Sequence, residues 1–545
     1  MSKVAHYLQE HLLGEVMTSA DARKYFATDA SIFTITPSIV LYPRNENDVR
    51  KTARFAWQLA ERGRIIPITC RGNGTDQGGA ALGEGIMMVF PAHMNRIVEL
   101  DQKSGVVIVE PGLNYGRLEQ TLHTHDRFLP PYPASFEYST IGGAIANNAS
   151  GEKSHKYGST RDFVKSLRVV LANGEVIETY RLTKRELGKK LGLSTFEGEI
   201  YRALDTLIEE NRETVEKLRL NVSKNTAGYA LASVKDDDGS FDLTPLLVGS
   251  QGTLGIVTEA TLETESYEPD SVVFLAEFDD LAKAEQAVLQ LRGLKDLPSA
   301  LEMVDGQLLE LVNRLNPNQL KGTVNTPYPK IALLVEYEGS ADRKLKKTLK
   351  TTEKILQEYA RSFVREEEPE GRAKLWKVRH ASASVVSHSE GQLKAVPIID
   401  DGIVPPEQFQ AYINGIYQLF TNAKLQVAIW GHAGDGNLHM QPFLDLSQLG
   451  DRQKAFKLID EYYKLVISLG GSTSGEHGDG RLRAPYLPAL YGDEGYALLK
   501  RVKHIFDPYA TLNPGVKIDV TLDDIKPLVR SGYSMEHLYD HMPRS

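Results

Sequence analysis

The chain has 545 residues, of which 41% are hydrophobic and 25% are charged, and it carries a formal net charge of −9 and one cysteine. A folded protein of about two to four domains fits this length and composition. The acidic balance argues against nucleic acid or anionic lipid as a partner, and the lone cysteine excludes an internal disulfide and any iron–sulfur cluster held by this chain alone.

The N-terminal segment, residues 1–33, is expected to be helical and to contain neither a signal peptide nor a transmembrane span. Its first residues, MSKVAHYLQEHLLGEV, mix polar and apolar side chains. A membrane-spanning helix would need a run of about 18 apolar residues, which the sequence lacks. We therefore expect a cytoplasmic protein, and peripheral association with the inner face of the membrane stays open.

Residues 38–70 are predicted to form a β-strand, a helix and a second β-strand. SIVLYP and IIPITC are the predicted strands, and apolar residues recur at helical spacing over 46–60, with Gly63 as the stop. Cys70 ends the second strand and is interpreted as a small core residue without chemistry. The next sequence, RGNGTDQGG at 71–79, stands at the carboxyl end of a strand, where backbone N–H groups can meet phosphate.

Further along, SLRVVLANGEVIET predicts a hairpin that turns at Asn173 and Gly174, because this pair tolerates positive φ angles. From residue 266 the pattern changes to helices alternating with short strands, which indicates a second α+β domain. REEEPEGRAKLWKVRH is predicted to lead from a loop into a helix. The predicted division is a first domain over 34–265, a second over 266–518 and a polar tail over 519–545.

Three glycine-rich segments in the first half, at 71–79, 140–151 and 249–255, indicate a site where the backbone closely approaches a ligand. Neither the GK[ST] ending of a P-loop nor a GxGxxG opening a helix is present. GGAALGEG, which overlaps the end of the first segment, is a poor helix start. A ligand with two phosphates, bound in a different fold, is therefore expected.

The order of these motifs resembles the FAD domain of the vanillyl-alcohol oxidase and p-cresol methylhydroxylase superfamily. RGNGT, PGL at 111–113, TIGGAIANNASG at 140–151, YGSTRD at 157–162 and GSQGTLGIVTEA at 249–260 follow one another in that order. The resemblance implies an α+β fold, with a two-subdomain FAD-binding domain over 34–265 and an FAD-linked oxidase C-terminal domain over 266–518. The residues that it implies for FAD binding are Arg71, Gly72, Asn73, Gly74, Thr75, Gln77, Pro111, Gly112, Pro133, Thr140, Ile141, Gly142, Gly143, Asn147, Ser150, Gly151, Tyr157, Gly158, Gly255, Ile256, Val257 and Asn513.

Two departures from the superfamily pattern carry information. Members with covalently attached flavin often have a histidine or cysteine near these loops, and RGNGTDQGG contains neither, so noncovalent FAD is expected. Gln251 stands where many relatives carry glutamate. We expect this change to alter a local hydrogen bond without abolishing FAD binding.

A second group of motifs lies in the C-terminal half. The apolar strand QVAIW leads into the glycine-rich turn of WGHAGDGNLH, and LHMQPF can form the returning strand. This hairpin would place His432 and His439 close together across the turn. SGEHGDG at 474–480 adds Glu476 and His477 in another glycine-rich loop. Two histidines and a carboxylate suit zinc, manganese or iron with positions open for substrate, whereas the HExxH motif of zinc proteases is absent.

Both motifs resemble HxGDGNxH and GEHGDG of the FAD-linked D-lactate, glycolate and D-2-hydroxyglutarate dehydrogenases. The resemblance implies that His432, His439 and Glu476 hold a divalent metal, that His477 is the catalytic base and that Asn513, in LNPGVK, lies near the flavin. The metal would lower the pKa of the substrate hydroxyl, His477 would accept its proton, and the C2 hydride would pass to flavin N5. The expected substrate is a D-2-hydroxy acid, D-lactate first and then glycolate or D-2-hydroxyglutarate.

The substrate carboxylate needs a cation, and arginine suits it because the planar guanidinium binds both oxygens. Arg379, in KLWKVRHAS, matches the LW-x-x-R pattern of the family and is the predicted carboxylate ligand. A lysine that assists some D-2-hydroxyglutarate enzymes has no match in KAVPIIDDGIVP, where Ile399 falls at its place. This absence argues against a dicarboxylate substrate.

Two other functions stay open on the sequence alone. The first is an alcohol or sugar oxidase, or an ether-lipid synthase, of the same superfamily; the second is an FAD-binding electron-transfer subunit of a larger dehydrogenase. The electron acceptor stays open among a quinone, a cytochrome, an electron-transferring flavoprotein and an iron–sulfur subunit, and the oligomeric state is open too, a homodimer included. The joint presence of His432, His439, Glu476 and His477 favours an enzyme over an inert subunit.

Overall fold

The computed structural model describes residues 3–339, 343–383, 389–390 and 393–540. The predicted strand–helix–strand unit is present, and its two strands belong to the first sheet. The unit is formed by β2, α3 and β3, and both strands run parallel to β4, which lies between them. Helix α3 begins after the Asn45 cap and ends before Gly63, whose φ is +78°. The elements of this part are α1 Lys3–His11, β1 Glu15–Met17, α2 Ala20–Tyr25, β2 Ile39–Tyr42, α3 Glu46–Ala60, β3 Ile68–Arg71 and β4 Ile86–Val89, with strand order β1-β2-β4-β3.

The second sheet is antiparallel, with strand order β5-β6-β10-β8-β9. The predicted hairpin is confirmed: the backbone N–H of Gly174 donates to the Leu171 carbonyl at 2.9 Å, and Gly174 has a φ of +85°. The elements of this part of the chain, in which β7 and β11 pair as a separate two-stranded sheet, are β5 Ile97–Asp101, β6 Val106–Val109, α4 Tyr115–His123, β7 Arg127–Phe128, α5 Ile141–Asn147, α6 Ser154–Tyr157, α7 Thr160–Phe163, β8 Val164–Val170, β9 Val176–Thr179, α8 Lys184–Leu191, α9 Phe196–Glu210, α10 Arg212–Lys217, α11 Thr244–Leu247, β10 Ile256–Glu263 and β11 Glu265–Ser266.

The third sheet has strand order β15-β12-β14-β13-β18-β19, and both of its faces are covered. Alternate residues of β12 enter different cores: Phe274 and Ala276 pack into one, Val273 and Leu275 into the other, as the period of two along a strand requires. The elements of this part of the chain, in which β16, β17 and β20 form a separate three-stranded sheet, are β12 Ser271–Phe278, α12 Leu281–Arg292, β13 Ala300–Asp305, α13 Gly306–Leu315, β14 Ile331–Glu338, α14 Arg343–Tyr359, β15 Ser362–Glu366, α15 Pro369–Arg379, β16 Ser389–Glu390, β17 Leu393–Ala395, α16 Phe409–Ala423, β18 Trp430–His432, β19 Asn437–His439, β20 Phe443–Leu444 and α17 Leu449–Ser468.

The chain then returns to the first half of the molecule. Helix α18, Leu487–Phe506, is interrupted at Gly492 and packs its apolar side into the core of the second sheet. Leu512 forms a parallel bridge with Ile68, next to the first sheet. Residues predicted to belong to one domain over 266–518 thus contribute to both halves. The tail contains α19 Leu522–Ile525 and α20 Glu536–Asp540.

The predicted α+β fold class is confirmed by this mixture of sheets and helices. The predicted boundary near residue 265 falls between β10 of the second sheet and β12 of the third. Across the described part of the chain, every helix is too short or too polar to cross a membrane.

Candidate active site

The three glycine-rich segments meet at one cavity. Residues 70–76, 140–147 and 247–257 contribute to its wall, and it encloses about 880 Å³ of space without protein atoms, part of it open to solvent. The prediction that these segments share one ligand-binding site agrees with the geometry.

Glycine is required at this wall for steric reasons. A Cβ on Gly72 would lie 2.4 Å from the Thr140 hydroxyl oxygen, and a Cβ on Gly142 would lie 2.7 Å from the Pro111 carbonyl oxygen. Within the described part of the chain, the backbone N–H groups of 73–75 donate no hydrogen bond to protein. Such unpaired N–H groups in a glycine loop bind phosphate, so the residues present fit a dinucleotide such as FAD.

The predicted FAD-binding residues divide into two groups. Those on the cavity wall are Arg71, Gly72, Asn73, Gly74, Thr75, Pro111, Thr140, Gly142, Gly143, Asn147, Gly255, Ile256 and Val257. Those outside the wall are Gln77, Gly112, Pro133, Ile141, Ser150, Gly151, Tyr157, Gly158 and Asn513. Cys70, interpreted from the sequence as a core residue, also lies on the wall; burial raises its pKa to about 12, so its thiol is protonated at neutral pH.

Three residues outside the wall have other contacts. The Ser150 hydroxyl donates to Glu476 at 2.6 Å, and the Tyr157 hydroxyl donates to Glu338 at 2.6 Å, so both join the two halves of the molecule. The Asn513 amide donates to the carbonyl oxygens of Ala80 and Gln251 at 2.9 and 2.8 Å. Asn513 therefore holds Ala80 and Gln251, two residues of the cavity wall, in place without lining the cavity itself.

The second group of predicted residues also comes together. In the β18–β19 hairpin, Trp430 pairs with His439 and His432 pairs with Asn437, which places the two imidazole centroids 5.2 Å apart. His432 Nε2 and His439 Nε2 lie 3.2 and 3.3 Å from the same oxygen, Glu476 Oε1. The predicted convergence of His432, His439 and Glu476 is what the structure shows.

Each of these imidazoles is oriented through its other nitrogen. His432 Nδ1 donates to Glu302 at 2.8 Å, and His439 Nδ1 donates to Asp400 at 2.8 Å. Burial opposes the charged form, but the neighbouring carboxylates raise the pKa of His439 to about 10. Histidines that bind a metal through one ring nitrogen usually donate the N–H of the other nitrogen to a carboxylate. His432 and His439 have this arrangement, because the second nitrogen of each faces Glu476.

The donor set therefore fits a divalent metal. Asp401, His439, Glu476 and His477 also form a compact group, with candidate ligand atoms within 4.8 Å of one another. The Asp401 carboxylate, however, already accepts hydrogen bonds from the backbone N–H groups of Glu476 and His477, at 3.0 and 2.8 Å. Asp401 therefore holds the 474–480 loop, and His432, His439 and Glu476 are the residues that fit a metal with positions left for another ligand.

His477 differs from the other two histidines because its imidazole makes no hydrogen bond to any of the described residues. Its ring stacks on His439 with centroids 5.2 Å apart. His477 Nε2 is 3.8 Å from Glu476 Oε1 and Nδ1 is 3.8 Å from Asp400 Oδ2, both beyond hydrogen-bond distance. Among the described residues its buried Nδ1 has no hydrogen-bond partner, so this nitrogen can form a hydrogen bond with a bound ligand.

Two cations approach the same site. The Arg379 Nε donates to Glu302 at 2.7 Å, and its terminal nitrogens donate to none of the described residues. Burial opposes its charge, but Glu302 and Glu152 raise the pKa of Arg379. Lys224 donates to Glu476 at 2.6 Å; against the effect of burial, Lys224 and His432 hold the pKa of Glu476 well below its ordinary value.

The sequence interpretation missed Lys224, Glu302, Asp400 and Asp401. A signal existed for Glu302, an acidic residue inside the apolar strand sequence ALEMVD, and for the acidic pair that follows VPII. Lys224, in SKNTAGYA, had none. Ile399 lies in the hydrophobic core with no exposed surface.

The metal cluster adjoins the cavity. Gln251 lies on the cavity wall, and its side chain accepts from the Gly480 N–H at 2.9 Å and donates to Asn147 at 2.9 Å. This hydrogen bond connects the loop that carries Glu476 and His477 to the cavity wall.

Comparison with known proteins identifies two matching domains in the chain. Residues 37–180 match the FAD binding domain, and residues 268–516 match the C-terminal domain of FAD linked oxidases. Over 93% of this chain, it is 31% identical to a D-2-hydroxyglutarate dehydrogenase of Escherichia coli (strain K12), but it spans only 50% of that protein. It is 30% identical to the glycolate oxidase subunit GlcD of Bacillus subtilis (strain 168), over 88% of both chains.

The fold of this chain is similar to that of solved structures. A structure of p-cresol methylhydroxylase aligns with a TM-score of 0.67 over 95% of this chain and 96% of that one, at 14% sequence identity. With its cavity formed by three glycine-rich loops, its matched domains and a relative that it covers almost in full, the chain belongs to the family of FAD-linked oxidases.

Proposed function

We propose that the chain is a dehydrogenase that oxidises a D-2-hydroxy acid to the 2-oxo acid, with noncovalently bound FAD and a divalent metal. The observation that carries this proposal is the unpaired imidazole of His477 beside the convergent donors of His432, His439 and Glu476, on a loop attached to the cavity wall. Our order of substrates is D-lactate, then glycolate or D-2-hydroxyglutarate.

Each side chain has a defined task in this proposal. His432, His439 and Glu476 hold the metal, which is zinc, manganese or iron. A bound metal would lower the pKa of the substrate hydroxyl, and bound FAD would accept the C2 hydrogen as hydride. His477 takes the hydroxyl proton, and the terminal nitrogens of Arg379 bind the carboxylate.

The electrons then leave for an external acceptor. A quinone, a cytochrome, an electron-transferring flavoprotein or an iron–sulfur subunit can serve, since the chain has one cysteine and cannot hold a thiolate-bound cluster alone. The similarity to a protein named as a glycolate oxidase subunit supports an acceptor that is a partner subunit. A cytoplasmic location, with or without attachment to the inner membrane face, and a homodimer are parts of the same proposal.

Anaerobic flavin reduction tests the proposal directly. We expect a D-2-hydroxy acid to bleach the flavin absorption band near ~450 nm, a chelator to suppress the bleaching, and added metal to restore it. D-lactate, L-lactate, glycolate and D-2-hydroxyglutarate are compared under the same conditions. Bleaching by an alcohol or sugar alone would instead support the oxidase alternative.

A second prediction concerns the cavity. We expect Gly142→Ala to lose most of its FAD, because the new Cβ would lie 2.7 Å from the Pro111 carbonyl oxygen, a backbone atom that cannot move aside cheaply. Gly188→Ala is the matched control, since a Cβ there has no neighbour within 4 Å. The FAD-to-protein ratio of the purified variants measures the effect. A full complement of FAD in Gly142→Ala would contradict the assignment of this cavity.

A further inference from the structure

Glu302 is a buried carboxylate inside the third sheet. It lies in β13, between Leu301 and Met303, whose side chains enter one hydrophobic core. Glu302 points to the opposite face, where Val304 joins the other core, and its side chain is 1% exposed. A glutamate at such a position is unfavourable unless both oxygens find charged or hydrogen-bonding partners.

The two oxygens of Glu302 have different partners. Oε1 accepts from His432 Nδ1 at 2.8 Å, and Oε2 accepts from Arg379 Nε at 2.7 Å. One carboxylate thus connects a proposed metal ligand with the proposed substrate-carboxylate ligand.

Strand pairing explains the first contact. Strands β13 and β18 are antiparallel, with Met303 opposite Gly431 and Val304 opposite Trp430. The next position in this register brings Glu302 opposite His432. Because the carboxylate accepts the Nδ1 proton, the Nε2 lone pair of His432 faces Glu476, and the tautomer is fixed for metal binding.

The second contact fixes the arginine. Glu302 binds only Nε of Arg379, which lies in the last turn of α15. Within the described part of the chain, the terminal nitrogens of Arg379 donate no hydrogen bond, and the ion pair with Glu302 restricts the rotation of the side chain that carries them. Glu302 and Glu152, acting against desolvation, also raise the pKa of the guanidinium, which keeps it charged in its buried position.

We propose that Glu302 is a positioning residue that couples metal binding to recognition of the substrate carboxylate, by orienting His432 and Arg379 through one carboxylate. This inference rests on the proposed function for the role of Arg379. The part of the inference that concerns metal binding through His432 does not depend on which substrate is oxidised. The expected signature is a joint loss of metal affinity and substrate affinity in a variant that still binds FAD.

The test is Glu302→Gln, which keeps the side-chain shape but offers one oxygen and one NH₂ group to two N–H donors. We expect the affinity for Zn²⁺ alone, measured by chelator competition, to fall about 10- to 100-fold. We expect the KM of the reactive 2-hydroxy acid to rise roughly tenfold, as a charge-assisted contact is lost. The FAD-to-protein ratio is expected to stay unchanged, because Glu302 is not on the cavity wall.

Two further variants separate positioning from simple loss of stability. Asp305→Asn removes an equally buried carboxylate of the same strand, one that accepts the Leu308 and Ile429 N–H groups at 2.8 and 3.1 Å. We expect it to lower the melting temperature while leaving the Zn²⁺ affinity within about twofold. Glu302→Asp keeps the charge and is expected to recover part of the Zn²⁺ affinity relative to Glu302→Gln.

The outcomes are distinct. Unchanged Zn²⁺ affinity and unchanged KM in Glu302→Gln, with the wild type active, would overturn the inference and leave the proposed function standing. Equal losses of Zn²⁺ affinity in Glu302→Gln and Asp305→Asn would also overturn it, since the effect would then be general. A wild-type protein that binds Zn²⁺ but oxidises no 2-hydroxy acid would contradict the proposed function, while the Zn²⁺ comparison still decides the part of the inference that concerns metal binding.

Discussion

His477→Ala is expected to reduce the rate of flavin reduction by a 2-hydroxy acid by about two orders of magnitude or more, the usual scale for loss of a general base. The structural reason is that His477 is a histidine of the cluster whose nitrogens lie beyond hydrogen-bond distance of their carboxylate neighbours, 3.8 Å in each case. Stopped-flow absorbance under anaerobic conditions measures the rate.

Bound FAD and bound metal are expected to remain in His477→Ala, because this side chain neither lines the cavity nor belongs to the assigned metal ligands. His123→Ala serves as control, since His123 is exposed and pairs with Glu119 away from the cluster. A His477→Ala enzyme that reduces its flavin at the wild-type rate would remove this residue from the role of base.

Glu476→Gln is expected to have two effects with different causes. The variant should lose most of its metal affinity, because a neutral amide replaces the only carboxylate among the assigned ligands. It should also lower the free energy of unfolding of the metal-free protein by about 3 kcal/mol, because it leaves the buried Lys224 ammonium without its carboxylate partner.

A double variant separates these effects. Lys224→Met together with Glu476→Gln removes both charges, so we expect much of the lost stability to return while the metal affinity stays low. Denaturant unfolding in the presence of a chelator measures the first quantity, and chelator competition measures the second. Equal stability of the single and double variants would contradict the view that Lys224 is held mainly by Glu476.

The parts of the site that were predictable from the sequence are those encoded by short motifs. The glycine segments predicted a shared ligand site because steric demands such as that at Gly72 are local in the chain. His432 and His439 were predicted to meet because only a tight turn separates them, and the hairpin pairing confirms it. The family and the α+β fold followed from the order of the same motifs.

The parts that were not predictable depend on long-range pairing. Glu302 and His432 are 130 residues apart, and Lys224 and Glu476 are 252 apart. Hydrophobic periodicity identifies strands but does not give the register that brings such residues opposite each other. For the same reason Ser150, expected at the flavin, was not foreseen as a partner of Glu476. The return of α18 to the first half depends on which apolar surface receives it.

That return has a consequence for how the chain acquires its structure during synthesis. Thr69 and Asn513, which hydrogen-bond beside the cavity wall, are 444 residues apart. The N-terminal half therefore leaves the ribosome long before the helix and loop that complete its core. Contacts of such high sequence separation form slowly, and an incomplete apolar surface is prone to aggregate meanwhile. Separate expression of the N-terminal half would thus yield a flavin-poor, aggregating fragment, whereas supplying the C-terminal segment in trans would improve its recovery.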